Sequence, residues 1–230
     1  MKVEGRFSEW YVPKRGPLWF RTLAGLSFYP YSIMCACFPV MAGLFAPVVH
    51  WDREIAIFVA YLLGLGIAAH ALDAMGEGRP WGQYLSKKQL WSLVISGFAA
   101  SLAIGVYYTI VIHTMVLATG LIAIFFALAY NLEWFKGRLH TNGAFALTWG
   151  SWSMLVGYTF SGGYNILILF LLMVVGYSAA SVEINASRPY RSLKKQQQVI
   201  TEVLIQQYQL ILISVVLLVL SLTALLIASK

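Results

Sequence analysis

Apolar positions fall into seven runs, near residues 22–47, 55–72, 90–112, 114–132, 143–161, 164–182 and 205–228. An α-helix needs about 20 such residues to cross the hydrocarbon core of a bilayer, and these runs are close to that length or longer. Stretches such as 167–175 do not alternate between polar and apolar residues, as the strands of a membrane barrel would. Lipid offers no partner to a free amide group, so each run predicts a helix. The pattern predicts an all-α, multispanning transmembrane bundle of about seven helices, forming one membrane domain over residues 1–230. Pro30, Pro39 and Pro47 predict kinks in the first span.

Composition agrees with this reading: 60% of the residues are hydrophobic and only 11% are charged. A water-soluble domain has no use for so much apolar surface. The polar interruptions alternate in character. Those after the first, third and fifth spans are short, at residues 48–54, near His113 and at 161–165. Those at 70–89, 130–142 and 183–202 are long and charged, and so are the expected carriers of function.

Charge sets an orientation. With the amino terminus in the cytoplasm, 14 of the 16 Lys and Arg residues fall on the cytoplasmic side, and only Arg53 and Lys230 fall outside. The sequence therefore predicts an integral membrane protein with a cytoplasmic amino terminus and an external carboxyl terminus. The net charge of +7 is topological and suits anionic lipid heads; it is not a signal for nucleic acid. Residues 1–21 are polar, aromatic and basic, so no cleaved signal peptide is expected and the first span acts as the insertion signal. Cys35 and Cys37 lie within that span and read as small packing residues.

The most chemical stretch follows the second span. His70, Asp73 and Glu77 stand at i, i+3 and i+7, one face of a continuing helix, with Arg79-Pro80 just beyond. Carboxylates at the end of a span are costly unless they hold a cation, line a wet cavity or have partners. The sixth span ends in a faintly similar way, with Glu183, Asn185 and Ser187 ahead of Arg188-Pro189. This weak repeat predicts that Asp73 and Glu183 face one shared cavity.

At these residues the chain resembles the UbiA-type intramembrane prenyltransferases. That superfamily carries an N-D-x-x-D-x-x-x-D-like motif after its second helix, and His70-x-x-Asp73-x-x-x-Glu77 keeps the spacing. A Tyr-x-x-x-Lys-Arg-like segment after the fourth helix is matched by Tyr130 to Arg138, which includes Lys136, and His140-Thr141-Asn142-Gly143 follows. Trp149, Gly150 and Trp152 in the fifth span and Arg21 ahead of the first are further matches. The chain departs from the pattern at His70 for Asn and Glu77 for Asp. It also has Asn185 and Ser187 where the second motif has more carboxylates, and seven helices where the family usually has nine.

The resemblance implies a UbiA-like bundle with a central cavity facing the cytoplasm. It implies Mg²⁺-dependent transfer, or cyclisation, of a polyprenyl group from a prenyl diphosphate, with a lipophilic acceptor where there is transfer. Asp73, Glu77 and Glu183 would be the catalytic metal ligands. Arg79, Lys136, Arg138, Arg188, Tyr130, His70 and Asn185 would serve the diphosphate and its surroundings. A depleted second motif leaves an alternative of another class open: a non-catalytic subunit or an isoprenoid- or lipid-binding protein of the same fold. A transporter whose buried acids hold a coupling ion is a third reading.

Each residue also has a plainer reading. Asp73 and Glu77 read equally as loop acids paired with Arg79 and Lys87, and Glu183 as a helix-end acid paired with Arg188. Lys136 and Arg138 read as basic anchors of the cytoplasmic side, and His70 as an ordinary hydrogen-bonding residue. Membrane lipids are the expected surroundings, and both homo- and hetero-oligomers remain open.

Overall fold

The computed structural model describes residue 7 and residues 9–76, 81, 84–112, 116–194 and 199–230, with backbone only for 199–201. Every regular element among them is helical. The helices are α1 (Leu18–Leu26), α2 (Tyr29–Gly43), α3 (Trp51–Asp73), α4 (Lys87–Ile112), α5 (Val116–Asn131), α6 (residues 142–160), α7 (Ile166–Leu193) and α8 (Val199–Ala228). Four of them, α3, α4, α7 and α8, are long and apolar enough to cross a membrane. The bent pair α1–α2 makes a fifth if counted as one span.

Two expected spans come out shorter or less apolar than a crossing helix. The fourth is the 16-residue α5, and the fifth is α6, which is broken up by Asn142, Thr148, Ser151 and Ser153. The sixth is longer than its apolar run. It continues past residue 182 to Leu193, so most of the expected 183–202 loop is helix. Its 28 residues extend about 42 Å, beyond the ~30 Å of hydrocarbon, and carry Arg188 and Arg191 past the apolar part.

The first span bends by 46°, but at Ser27–Phe28 rather than at a proline. Phe28 has φ 43°, a left-handed conformation that an aromatic residue adopts at a cost. The hydroxyl of Ser27 donates to the Ala24 carbonyl at 3.2 Å, and that of Ser32 to the Ser27 carbonyl at 2.5 Å, which satisfies groups freed by the break. Pro30 lies in the first turn of α2, where its missing N–H costs nothing, and Pro39 is carried inside the helix. Pro47 falls after the end of α2.

The chain divides into two compact units, residues 1–36 with 55–138 and residues 37–54 with 139–230. Each contains a helix interrupted by a wide π turn and packed on the long helix that follows. In the first unit the π segment is Leu62–Ala69 of α3, against α4; in the second it is Ala146–Ser151 of α6, against α7. Both contacts depend on glycine. A Cβ on Gly97 would stand 2.7 Å from the Leu63 carbonyl oxygen and 2.9 Å from the Ala68 Cβ. A Cβ on Gly176 would stand 2.6 Å from the Gly150 oxygen, and one on Gly150 would meet the Gly176 carbonyl. Backbones that pack this closely are the usual way helices associate where no hydrophobic effect drives them together. Gly97 and Gly176 each lie ten residues into their helix, so the two units repeat one design.

Caps fix several ends. Ser86 and Gln89 form a reciprocal box at the start of α4: Ser86 N–H donates to Gln89 Oε1 at 2.9 Å, and Gln89 N–H to Ser86 Oγ at 3.3 Å. Thr141 caps α6 by accepting from Ala144 N–H, and Asn165 caps α7 by accepting from Leu167 and Ile168. α5 ends in a Schellman turn, with Trp134 N–H on the Ala129 carbonyl and Glu133 in the left-handed position usually taken by glycine.

Candidate functional site

In the first unit, α3 stops at Asp73 because the chain turns there: Ala74 N–H donates to the His70 carbonyl and Gly76 N–H to that of Asp73. His70 and Asp73 are both half-buried, one turn apart on the same helix face. The His70 ring lies 5.3 Å from that of Phe28. Glu77 and Arg79 lie outside the described residues. Tyr130 is half-buried in the last turn of α5. Lys136 and Arg138 follow in a tight turn in which Phe135, Lys136 and Gly137 all have positive φ, and both basic side chains are exposed.

In the second unit, Glu183 is inside α7 and only 4% exposed. The Ser187 hydroxyl, one turn on, hydrogen-bonds its carboxylate, and Arg191, two turns on, lends it positive charge. Its Oε2 is buried with no hydrogen-bond partner. This acid continues the stripe of Gly176 and Ala180, the residues that meet Gly150 of α6.

Asn185 and Arg188 belong to a different face of α7. Asn185 is exposed, accepts from Asn142 Nδ2 at 2.7 Å and donates to the Ser181 carbonyl at 2.8 Å. Arg188 donates from Nη2 to the His140 carbonyl at 3.1 Å. Together these bonds fasten the start of α6 to the charged end of α7. The sequence reading put Glu183, Asn185 and Arg188 in one motif; the helix separates the acid from the other two. Ser187, which the sequence places in that motif without a role, and Arg191, which it leaves out, are the neighbours of Glu183, at i+4 and i+8 on one face.

Asp73 lies in the first unit and Glu183 in the second, and each is described within its own unit. Among the described residues no group of three or more His, Cys, Asp or Glu side chains is gathered to hold a metal ion.

A second buried acid escaped the sequence reading. Glu54, in the first turns of α3, is 3% exposed, and its Oε1 accepts from Ser161 Oγ at 2.6 Å. Both carboxylate oxygens lie where a Cβ on Gly43 would go, so the glycine makes room for them. Arg53 donates to the Phe160 carbonyl at 3.5 Å beside this pair. The arrangement joins the start of α3 to the end of α6 within the second unit.

Set against protein-family models, curated proteins and solved structures, the chain matches none. What the fold and these residues define is an all-helical protein with helices able to span a membrane. Each of its units bears an acid toward one end of a long helix.

Proposed function

We propose that this chain is a divergent, shortened UbiA-like membrane enzyme that transfers or cyclises a polyprenyl group from a prenyl diphosphate with the help of Mg²⁺. Its amino terminus is cytoplasmic and its carboxyl terminus external. The observation that carries the reading is Glu183, a buried carboxylate held by Ser187 on one side with its Oε2 unpartnered. An acid inside an apolar helix is retained for a ligand more readily than for stability.

Carboxylates are the ligand type this ion prefers. Mg²⁺ binds through one or two carboxylates, with water and substrate phosphates completing six oxygens. Glu183 would be a metal ligand in the second unit, and Asp73, with Glu77 beside it in sequence, a metal ligand in the first. When bound, the ion supplies charge neutralisation to the departing diphosphate. Arg188, already oriented by the His140 carbonyl, and Lys136, Arg138 and Arg79 would take up phosphate charge. Tyr130, His70 and Asn185 would shape the surroundings. Apolar helix faces would keep water from the reactive allylic carbon until a lipophilic acceptor, or a double bond of the same chain, attacks it.

A second reading is favoured by one observation, the lack of a metal-holding cluster among the described residues. It is a non-catalytic protein of the same fold that binds isoprenoid or lipid. One experiment separates the two. The detergent-purified protein is mixed with a long-chain prenyl diphosphate and a membrane lipid extract, with Mg²⁺ or with chelator. Thermal stability and pyrophosphate release are then read in the same sample. The enzyme reading expects Mg²⁺-dependent stabilisation and release. Stabilisation without release supports the binding protein, and neither response overturns both.

A further inference from the structure

We infer that Phe7 and residues 9–14 form a strap closed over the Ala71–Ala74 end of α3, and that Arg21 is its latch. The segment precedes α1 and has no regular structure of its own. It holds its shape by local bonds: Val12 N–H donates to the Glu9 carbonyl at 3.1 Å, and Lys14 Nζ reaches back to the carbonyls of Glu9 and Phe7 at 2.9 and 3.4 Å. Its apolar side is buried. Phe7, Tyr11 and Val12 are 7%, 4% and 2% exposed, in one cluster with Ala71, Leu72 and Ala74 of the α3 end and with Trp81.

Aromatic rings make most of the seam. Phe7 meets Trp81 edge-on at 5.6 Å and Tyr84 at 5.2 Å between ring centroids. Tyr11 packs on Phe28 at 4.9 Å, and Phe28 in turn on His70. The strap is thereby connected, ring to ring, with the first residue of the candidate motif.

Arg21 holds the strap at two places. Its Nε donates to the Pro13 carbonyl at 2.8 Å, and its guanidinium lies 4.5 Å from the centre of the Phe7 ring. A planar guanidinium suits this double role, donating from Nε while the group lies over a ring. The Val12 to Glu9 main-chain bond is internal to the strap, and ring packing with the Arg21 side chain docks it. An element held in this way can open without unwinding a helix, and its opening free energy lies well below that of global unfolding. Opening it uncovers Ala74 and its neighbours beside His70 and Asp73. The inference stands on the packing of this end and does not depend on the proposed reaction.

Cysteine accessibility in native membranes tests it. In a Cys35→Ala/Cys37→Ala background, Ala74→Cys is exposed to a membrane-impermeant maleimide in opened vesicles. The parent should react slowly, because Ala74 is 5% exposed. Arg21→Ala and Phe7→Ala should each speed labelling at least tenfold, and Arg21→Lys less, since Lys keeps the charge but loses the double contact. Met154→Cys, fully buried in the second unit, reports general loosening and should stay unreactive throughout. Labelling of Ala74→Cys within twofold of the parent in both Arg21→Ala and Phe7→Ala would overturn the strap. So would a matching rise at Met154→Cys.

Discussion

Glu183 and Asn185 are two residues apart in α7, about 200° around the helix, and lie on opposite sides of it. The acid is buried beside Ser187, while the amide is exposed and bonded to Asn142. A reading of the second motif as one cluster therefore does not survive the helix geometry, and the two residues should respond differently to substitution. On the proposed reaction, Glu183→Gln, similar in size but without charge, should cut Mg²⁺-dependent pyrophosphate release at least a hundredfold. Asn185→Ala should change it less than threefold. Equal losses in both variants, at equal folded yield, would put the two side chains back in one site.

Ser187 offers a graded check on the same acid. Ser187→Ala removes the hydroxyl that bonds the Glu183 carboxylate and leaves a buried acceptor without its donor, a cost of about 1–3 kcal/mol. The variant should melt several degrees lower in detergent. If Glu183 binds Mg²⁺, added Mg²⁺ with prenyl diphosphate should restore part of the loss, because ligand bound to the folded state stabilises it. A lowered melting point that ligand does not move would make Ser187 and Glu183 a purely structural pair.

The long spans were legible because each is a run of apolar side chains, and lipid demands helix from such a run. The weaker elements were not. The end of the sixth span looked like residue 182 because hydropathy falls at Glu183, yet Glu183, Ala186, Ser187 and Tyr190 keep one buried face for two more turns. The bend at Phe28 falls two residues ahead of Pro30, which has no N–H to continue the helix from Leu26, while the left-handed Phe28 itself carries no local sequence signature. The packed glycines could be seen in the sequence, but not which of the 19 meets another backbone. The Glu54–Ser161 bond spans 107 residues and has no local pattern at all.

The glycine crossings predict a sharp asymmetry among glycine substitutions. Gly176→Val must push apart two backbones within the second unit, and Gly97→Val must do the same in the first. Each should cost at least the ~1–3 kcal/mol typical of overpacking, seen as a lower melting temperature or loss of folded protein. Gly120→Ala in α5 meets nothing within 4 Å and should be neutral or stabilising, since Ala is the better helix former by ~0.5–1 kcal/mol. A destabilised Gly120→Ala beside a tolerated Gly176→Val would contradict this packing.

Glu54 predicts a polar pair that matters to the second unit. Ser161→Ala strips the carboxyl of its donor while leaving it buried, and should destabilise by about 1–3 kcal/mol. Gly43→Ala should do at least as much harm, because the new methyl group would occupy the space of both carboxylate oxygens. Glu54→Gln keeps the shape and an acceptor for Ser161, so it should be milder than either. Thermal melts of the three variants rank them, and a Glu54→Gln worse than Gly43→Ala would show that charge, rather than the fitted contact, is what the site conserves.

The last prediction concerns topology, for which the charge distribution gives a definite orientation. If all seven expected spans cross, 14 of 16 Lys and Arg residues share one side, so the amino terminus should be cytoplasmic and Lys230 external. In intact cells, a Lys230→Cys variant lacking Cys35 and Cys37 should react with an impermeant maleimide. A His140→Cys variant should react only after the cells are opened. If α5 or α6, the two segments that fail the length and apolarity of a crossing helix, lies on the surface rather than across it, one crossing is lost and the two ends come to the same side. External labelling at position 140 with protection at position 230 would overturn this topology, through a reversed orientation or an α5 that does not cross. Protection of both until opening would put positions 140 and 230 on the cytoplasmic side and make the number of crossings between them even, as when α6 does not cross.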